Sequence, residues 1–178
     1  MLSENSELLS LISRENSKAN AEFVGEILEK KPYLMDEVWK ILFELKEPES
    51  RRAAWILDKA TEKNPDRILP HLPQLIELFP FFRHDAYKRH SLRMISRIHI
   101  PAEYDPDLVN FCFDWLLSPN EAVAVKFHCM NILYDISKRL PEIKRELLDT
   151  INIQIMEGTP GFKSIGKKIM KKLSSELR

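Results

Sequence analysis

Glycine is scarce in this chain, with four residues among 178, and cysteine scarcer still, with two. Four glycines leave little material for the glycine-rich loops that cradle phosphates, and no G-x-G-x-x-G, P-loop or G-x-S-x-G pattern occurs. Two cysteines, Cys112 and Cys129, cannot staple a domain of this length. Each lies in an apolar run, where a free thiol behaves as a small hydrophobe. No apolar run approaches the roughly 18–20 residues of a membrane span, and the N-terminal stretch MLSENSELLSLISREN has neither the basic nor the apolar region of a secretory signal. Net charge is also missing: 27 Lys and Arg balance 27 Asp and Glu, so no overall field draws the molecule to nucleic acid or membrane. The expectation is a cytoplasmic monomer with no membrane span.

The charge that is present is unevenly spread. Residues 1–50 carry six basic and eleven acidic side chains, whereas residues 160–178 carry six basic ones against Glu176 alone. Apolar residues make up 44% and charged residues 30%, which suits a folded domain and argues against global disorder.

Proline is plentiful, at eleven residues, and its positions organise the chain. Pro48, Pro80, Pro119 and Pro160 follow long apolar helical stretches, and Pro32, Pro65, Pro101 and Pro141 sit between two such stretches. Proline is hostile to helix interiors and welcome in a first turn, so this alternation marks helix–turn–helix units joined end to end. The segments ILDKATEKNP (56–65) and ILYDISKRLP (132–141) superpose without a gap. After each inner proline, apolar residues recur every four positions: Leu34, Val38 and Leu42; Ile68, Leu72 and Ile76; Leu108, Cys112 and Leu116; Ile143, Leu147 and Ile151. Ile41, Leu75 and Trp115 widen these stripes into core-facing helix faces. Gly158-Thr159-Pro160-Gly161 then supplies a turn, an N-cap and a first-turn proline for a last helix. Its apolar face is Phe162, Ile165, Ile169, Leu173 and Leu177, and its other face Lys163, Lys167, Lys168, Lys171 and Lys172.

A two-helix unit of this kind, with R-x2-A-x2-L in its first helix (Arg51, Ala54, Leu57; then Arg89, Leu92, Ile95), resembles the HEAT/armadillo repeats. The resemblance covers residues 17 to 178. It implies an all-α, right-handed α-α superhelix of four helical hairpins, at about 17–47, 48–79, 83–117 and 119–156, with a capping helix at 160–177, in a single domain over 1–178. Pro101 arrives early in the third unit, and a loop IPAEYDPD is expected after it. For function the resemblance implies scaffolding and protein binding, with some nucleic-acid binders.

Two binding surfaces follow. Basic residues open the first helices in register: Arg51, Arg89, Lys126 and Lys163, with Arg52 and Lys88 alongside. Cations near a helix N-terminus oppose the macrodipole, so local helix stability does not explain them. They form either a row that receives an acidic partner or a ladder paired with Glu47, Glu49, Asp85 and Glu121. The second surface is a groove lined by the second helices, whose amphipathic residues are Asp36, Trp39, Lys40, His71, Gln74, Asp114, Lys144 and Asn152. A protein or peptide is the partner expected there. The alternative is a nucleic-acid binder similar to the alkylpurine DNA glycosylases built from HEAT-like repeats, which use tryptophans and a carboxylate on a basic concave surface. Trp55 with Asp58, or Asp114 beside Trp115, is the nearest match here. None of the five histidines, His71, His84, His90, His99 and His128, has metal-ligand spacing, Asp85 is expected to cap the helix after Pro80, and no cofactor is implied.

Overall fold

The computed structural model describes residues 4–177, with side chains from residue 6 onward. Arg178, counted in the basic C-terminal segment, and Met1 to Ser3 of the N-terminal stretch lie outside the described residues. The described chain is all-α, with ten α-helices, short 3-10 turns and no strand. It divides into two compact units, Met1–Ile98 and His99–Arg178.

Unit 1 contains α1 (Glu4–Arg14), α2 (Lys18–Lys30), α3 (Met35–Phe43), α4 (Glu49–Ala60), α5 (Leu72–Glu77) and α6 (Asp85–Ile95). Helix α4 is its centre, packed by α1, α2, α3 and α6. The sequence of α4 suits that position. Ala53, Ala54 and Ala60 are small enough to let neighbours approach, while Ile56 and Leu57 fill the space between them. Each fully buried Leu or Ile contributes about 1.5–3 kcal/mol by leaving water. Helix α2 approaches so closely that a Cβ on Gly25 would lie 3.1 Å from Lys59 Cβ and 3.3 Å from the Ala60 backbone nitrogen.

The ends of these helices are set by local chemistry. Ser17 caps α2 by accepting from the Asn20 amide, and Asn20 Nδ2 reaches back to the Leu11 carbonyl, fixing α1 against α2. Arg52 Nη1 donates to the carbonyls of Ser13 (2.6 Å) and Ile12 (3.4 Å), placing a cation at the negative end of α1. Helix α1 precedes the residue-17 start read from the repeat. At α6 the cap is His84, whose Nδ1 accepts from the Ala86 amide at 3.1 Å. Asp85, expected as the cap, is instead the first helical residue, where its charge favours the helix dipole.

One expected helix is broken. The stretch Pro65–Phe79 forms a 3-10 segment, Pro65–His71, followed by the short α5. Pro70 and Pro73 lack the N–H groups that a continuous α-helix would need there. Ile68, Leu72 and Ile76 are nevertheless buried, as their spacing required.

Unit 2 contains α7 (Asp105–Leu117), α8 (Val123–Ile136), α9 (Ile143–Ile155) and α10 (Pro160–Glu176). Helix α8 packs on α7, α9 and α10, and α10 also packs on α9. The expected loop IPAEYDPD is largely ordered: Ala102–Tyr104 form a 3-10 turn and α7 starts at Asp105, with Pro106 tolerated in its first turn. Arg139, just past α8, grips Asp105 with a two-pronged pair and donates to the Ile100 carbonyl at 3.2 Å. Helix α10 is capped by Thr159, which accepts from the Phe162 amide. Its Phe162, Ile169 and Leu173 are buried, Ile165 is half-buried, and Leu177 is exposed. Cys112 and Cys129 are fully buried thiols, behaving as small hydrophobes. Among the described residues no helix is long and apolar enough to cross a membrane.

Candidate functional site

In unit 1 the second-helix stripes bury Val38, Leu42, Ile68, Leu72 and Ile76 and leave the neighbouring residues on a shared outer face. Pro32 opens a 3-10 turn before α3, and Asp36 and Glu37 then occupy the first helical turn, where acidic groups are favoured. Trp39, one position round from Val38, sits at the edge of this face. The prolines that break the next stretch bring Arg67, Pro70, His71 and Gln74 opposite it. The result is an open groove of about 1020 Å³. Its lining includes Trp39, Phe43, Pro32 and Pro70 together with Asp36, Lys40, Arg67, His71 and Gln74.

The floor is aromatic. The rings of Trp39 and His71 stack at 4.7 Å between centroids, and Phe43 lies 5.4 Å from Trp39. His71 Nε2 is 3.3 Å from Asp36 Oδ1. Burial lowers the His71 pKa below its ordinary value, against the opposing pull of Asp36. Around the rim, Lys40 pairs with Glu37 at 2.7 Å and Glu44 with Lys46 at 2.9 Å. Two donors on the lining are left over: Trp39 Nε1 and Arg67 Nη1 are buried with no hydrogen-bond partner. A buried donor without an acceptor is costly, and an ordered water or a small shift of the side chain would satisfy it. No nucleophile and base stand together here. The groove offers apolar surface from Trp39, Phe43, Pro32 and Pro70 and polar groups from Lys40, Arg67 and Gln74.

Trp39 and His71 are thus brought together, along with Asp36, Lys40 and Gln74. Arg67 was not singled out from sequence, because an arginine after a proline turn carries no periodic signal. Trp39 is 1% exposed and serves as floor rather than as a protruding contact.

Of the cations read as a row, Arg51, Arg52, Arg89 and Lys126 have individual partners. Arg51 Nε forms an ion pair with Glu47 at 3.3 Å, and Arg52 caps α1 as described. Lys88 and Arg89 are half-buried on α6, and Arg89 Nη2 donates to His90 Nε2 at 3.3 Å. In unit 2, Lys126 Nζ donates to Gln154 Oε1 at 3.0 Å and sits 6.0 Å from the Phe162 ring centroid. Burial lowers the Lys126 pKa, with Glu121 opposing. Lys163 is half-exposed on α10. Asp114 and Asn152 are exposed, and Lys144 pairs with Glu176 at 2.8 Å.

The carboxylate of the glycosylase comparison is differently placed. Asp58 is fully buried. His90 Nδ1 lies 2.8 Å from one of its oxygens, Arg97 Nη2 is 2.6 Å from the other, and Arg93 is 3.4 Å away. Burial by itself would raise the Asp58 pKa, but the His90 hydrogen bond and the nearby cations outweigh it and hold the pKa below the ordinary value. Trp55 stacks on His90 at 5.6 Å, completing a packed polar knot between α4 and α6. A substrate base has no access to this carboxylate. Asp114, beside half-buried Trp115, is exposed. Among the described residues no group of three or more His, Cys, Asp or Glu side chains could hold a metal ion.

No curated protein and no solved structure matches the chain. The family model described as HEAT repeat domain matches residues 8–173. With the buried period-four stripes and the helix packing already described, this match places the chain in its family: it belongs to the HEAT repeat domain proteins.

Proposed function

We propose that the protein is a non-catalytic scaffold that binds a peptide or protein segment in the groove between α3 and the Pro65–Glu77 stretch. The observation that carries this reading is the open groove itself, lined by Pro32, Trp39, Phe43, Pro70 and Gln74, with the stacked Trp39 and His71 rings as its floor. An extended segment supplies apolar side chains for the Trp39–His71–Phe43 floor and backbone groups for the exposed Lys40 and Gln74 at its edge. Extended surfaces of this type are what helical repeats offer to partners. In this reading the chain acts as one repeat domain, monomeric and cytoplasmic, and uses no cofactor.

The test is a selection from a random dodecapeptide library on the intact chain. A selected peptide is then titrated against wild type and Gln74→Arg, a bulky change at an exposed groove position. Loss of affinity by ten-fold or more in the variant is expected. Equal affinity for both proteins contradicts the reading.

A further inference from the structure

The last helix, α10, carries five lysines against one acid, Glu176. Lys167, Lys168, Lys171 and Lys172 of α10 are exposed, and Lys163 is half-exposed. None of the five is in an ion pair among the described residues. Glu176, the acid of this segment, is taken by Lys144 at 2.8 Å and by the Tyr134 hydroxyl at 2.7 Å. Residues four apart on a helix lie about 6 Å apart along its axis, so Lys163, Lys167 and Lys171 form one row and Lys168 and Lys172 a second.

Beside these rows α8 contributes aromatic rings. Phe127, Asn131 and Tyr134 share one face of α8 by their spacing, and Phe127 and Tyr134 are half-exposed. Phe127 and Asn131, with Ile165, Lys168, Lys171 and Lys172, line a cleft of about 410 Å³. Lys172 Nζ lies 5.0 Å from the Tyr134 ring centroid, so lysine and ring already share one surface. A cationic track next to half-exposed aromatic rings fits a strand of phosphates with unpaired bases: lysines neutralise the backbone and rings stack the bases. An anionic membrane fits poorly. A helix lying in a lipid interface must insert its apolar face, and here Phe162, Ile169 and Leu173 are committed to the core of unit 2.

We propose that the α8–α10 face binds single-stranded nucleic acid, with the α10 lysines on the phosphates and bases stacked on Phe127 and Tyr134. The site is separate from the α3 groove, and either can fail without the other.

The test is fluorescence anisotropy of the full chain with a labelled oligothymidylate and a labelled oligouridylate, each of about 20 nucleotides, from about 50 to 200 mM salt. Binding that weakens steeply with salt is expected. The triple variant Lys168→Gln/Lys171→Gln/Lys172→Gln should lose at least ten-fold at low salt and reduce the log–log salt slope by about 2. Phe127→Leu should weaken binding by about five-fold or more with the salt slope unchanged, and Phe127→Trp should restore it. Thermal melts check that each variant is folded. The proposal is overturned by absence of binding at low salt, by unchanged binding in the triple variant, or by full affinity in folded Phe127→Leu. It is equally overturned if duplex DNA of the same length binds more tightly, or if polyglutamate competes as well as the oligonucleotide, which would make the face a site for acidic protein.

Discussion

Asp58 on α4 and His90 on α6 meet at 2.8 Å, Oδ2 to Nδ1, in the interior of unit 1. With the carboxylate ionised, the proton of this bond belongs to His90 Nδ1, which leaves Nε2 to accept from Arg89. The neutral imidazole therefore joins an acid on α4 to a guanidinium on its own helix, α6. Arg97 and Arg93 supply the charge that makes burial of Asp58 tolerable.

Removing that acid should be severe. Breaking a buried pair leaves an uncompensated polar group, at a cost of about 3–5 kcal/mol. Asp58→Ala is expected to lower stability by about 3 kcal/mol or more in chemical denaturation. A loss within about 0.5 kcal/mol, the range of ordinary surface changes, would contradict the assignment of Asp58 as a structural anchor.

The same pair sets a pH dependence. Burial lowers the His90 pKa against the pull of Asp58, so the folded state prefers neutral imidazole. That contribution is fully present above the unfolded value of 6.5 and is lost as pH falls below it. Asp58, whose folded pKa is also depressed, adds stability that is lost only below about 3.8. The melting temperature should thus decline on acidification from pH 6.5 toward 5, before the carboxylates titrate. His71 shifts in the same direction, so His90→Gln isolates the first step: its melting temperature should fall less steeply in that range. An identical slope in the variant would show that His90 is not neutral in the fold.

Gly25 measures how closely α2 and α4 approach. Alanine at a helix interior normally gains about 1 kcal/mol over glycine. Here the added Cβ meets Lys59 Cβ at 3.1 Å and backbone at 3.3 Å, and such overpacking costs about 1–3 kcal/mol. Gly25→Ala is therefore expected to lower the melting temperature. An increase would mean that the helices can separate freely at this point.

In unit 2, Arg139 holds Asp105 through two parallel contacts and also reaches the Ile100 carbonyl. Lysine keeps the charge but cannot reproduce the fork. Arg139→Lys should cost about 1–3 kcal/mol and raise amide exchange at the start of α7, while the same change at exposed, unfixed positions does little. Unchanged exchange there would refute the role of this pair in anchoring α7.

The repeat was legible because it is written in apolar spacing and proline position. Leu34, Val38 and Leu42, and their counterparts through Ile151, are buried as their four-residue recurrence required. The break at Pro70 and Pro73 was visible as residues, but the regular Ile68–Leu72–Ile76 stripe masked it, since a 3-10 turn can bury the same side chains. The Asp58–His90 knot was not legible: its members are 32 residues apart and lie at no shared period. Of the groove, Trp39 and His71 could be found as aromatic neighbours of core stripes. Arg67 could not, because only the folded backbone brings it to the lining and leaves its Nη1 without a partner. The basic residues at the helix starts fit a paired ladder or a binding row equally in one dimension, and only the fold shows that Arg52 caps α1 and Lys126 holds Gln154.

The central claim, that the α3 groove receives a peptide segment, is tested most directly by hydrogen–deuterium exchange of the full chain with and without a library-selected peptide. Protection should appear in residues 32–44 and 65–77, and it should vanish in Gln74→Arg. Protection confined to other segments, with both of these unchanged, would contradict the account.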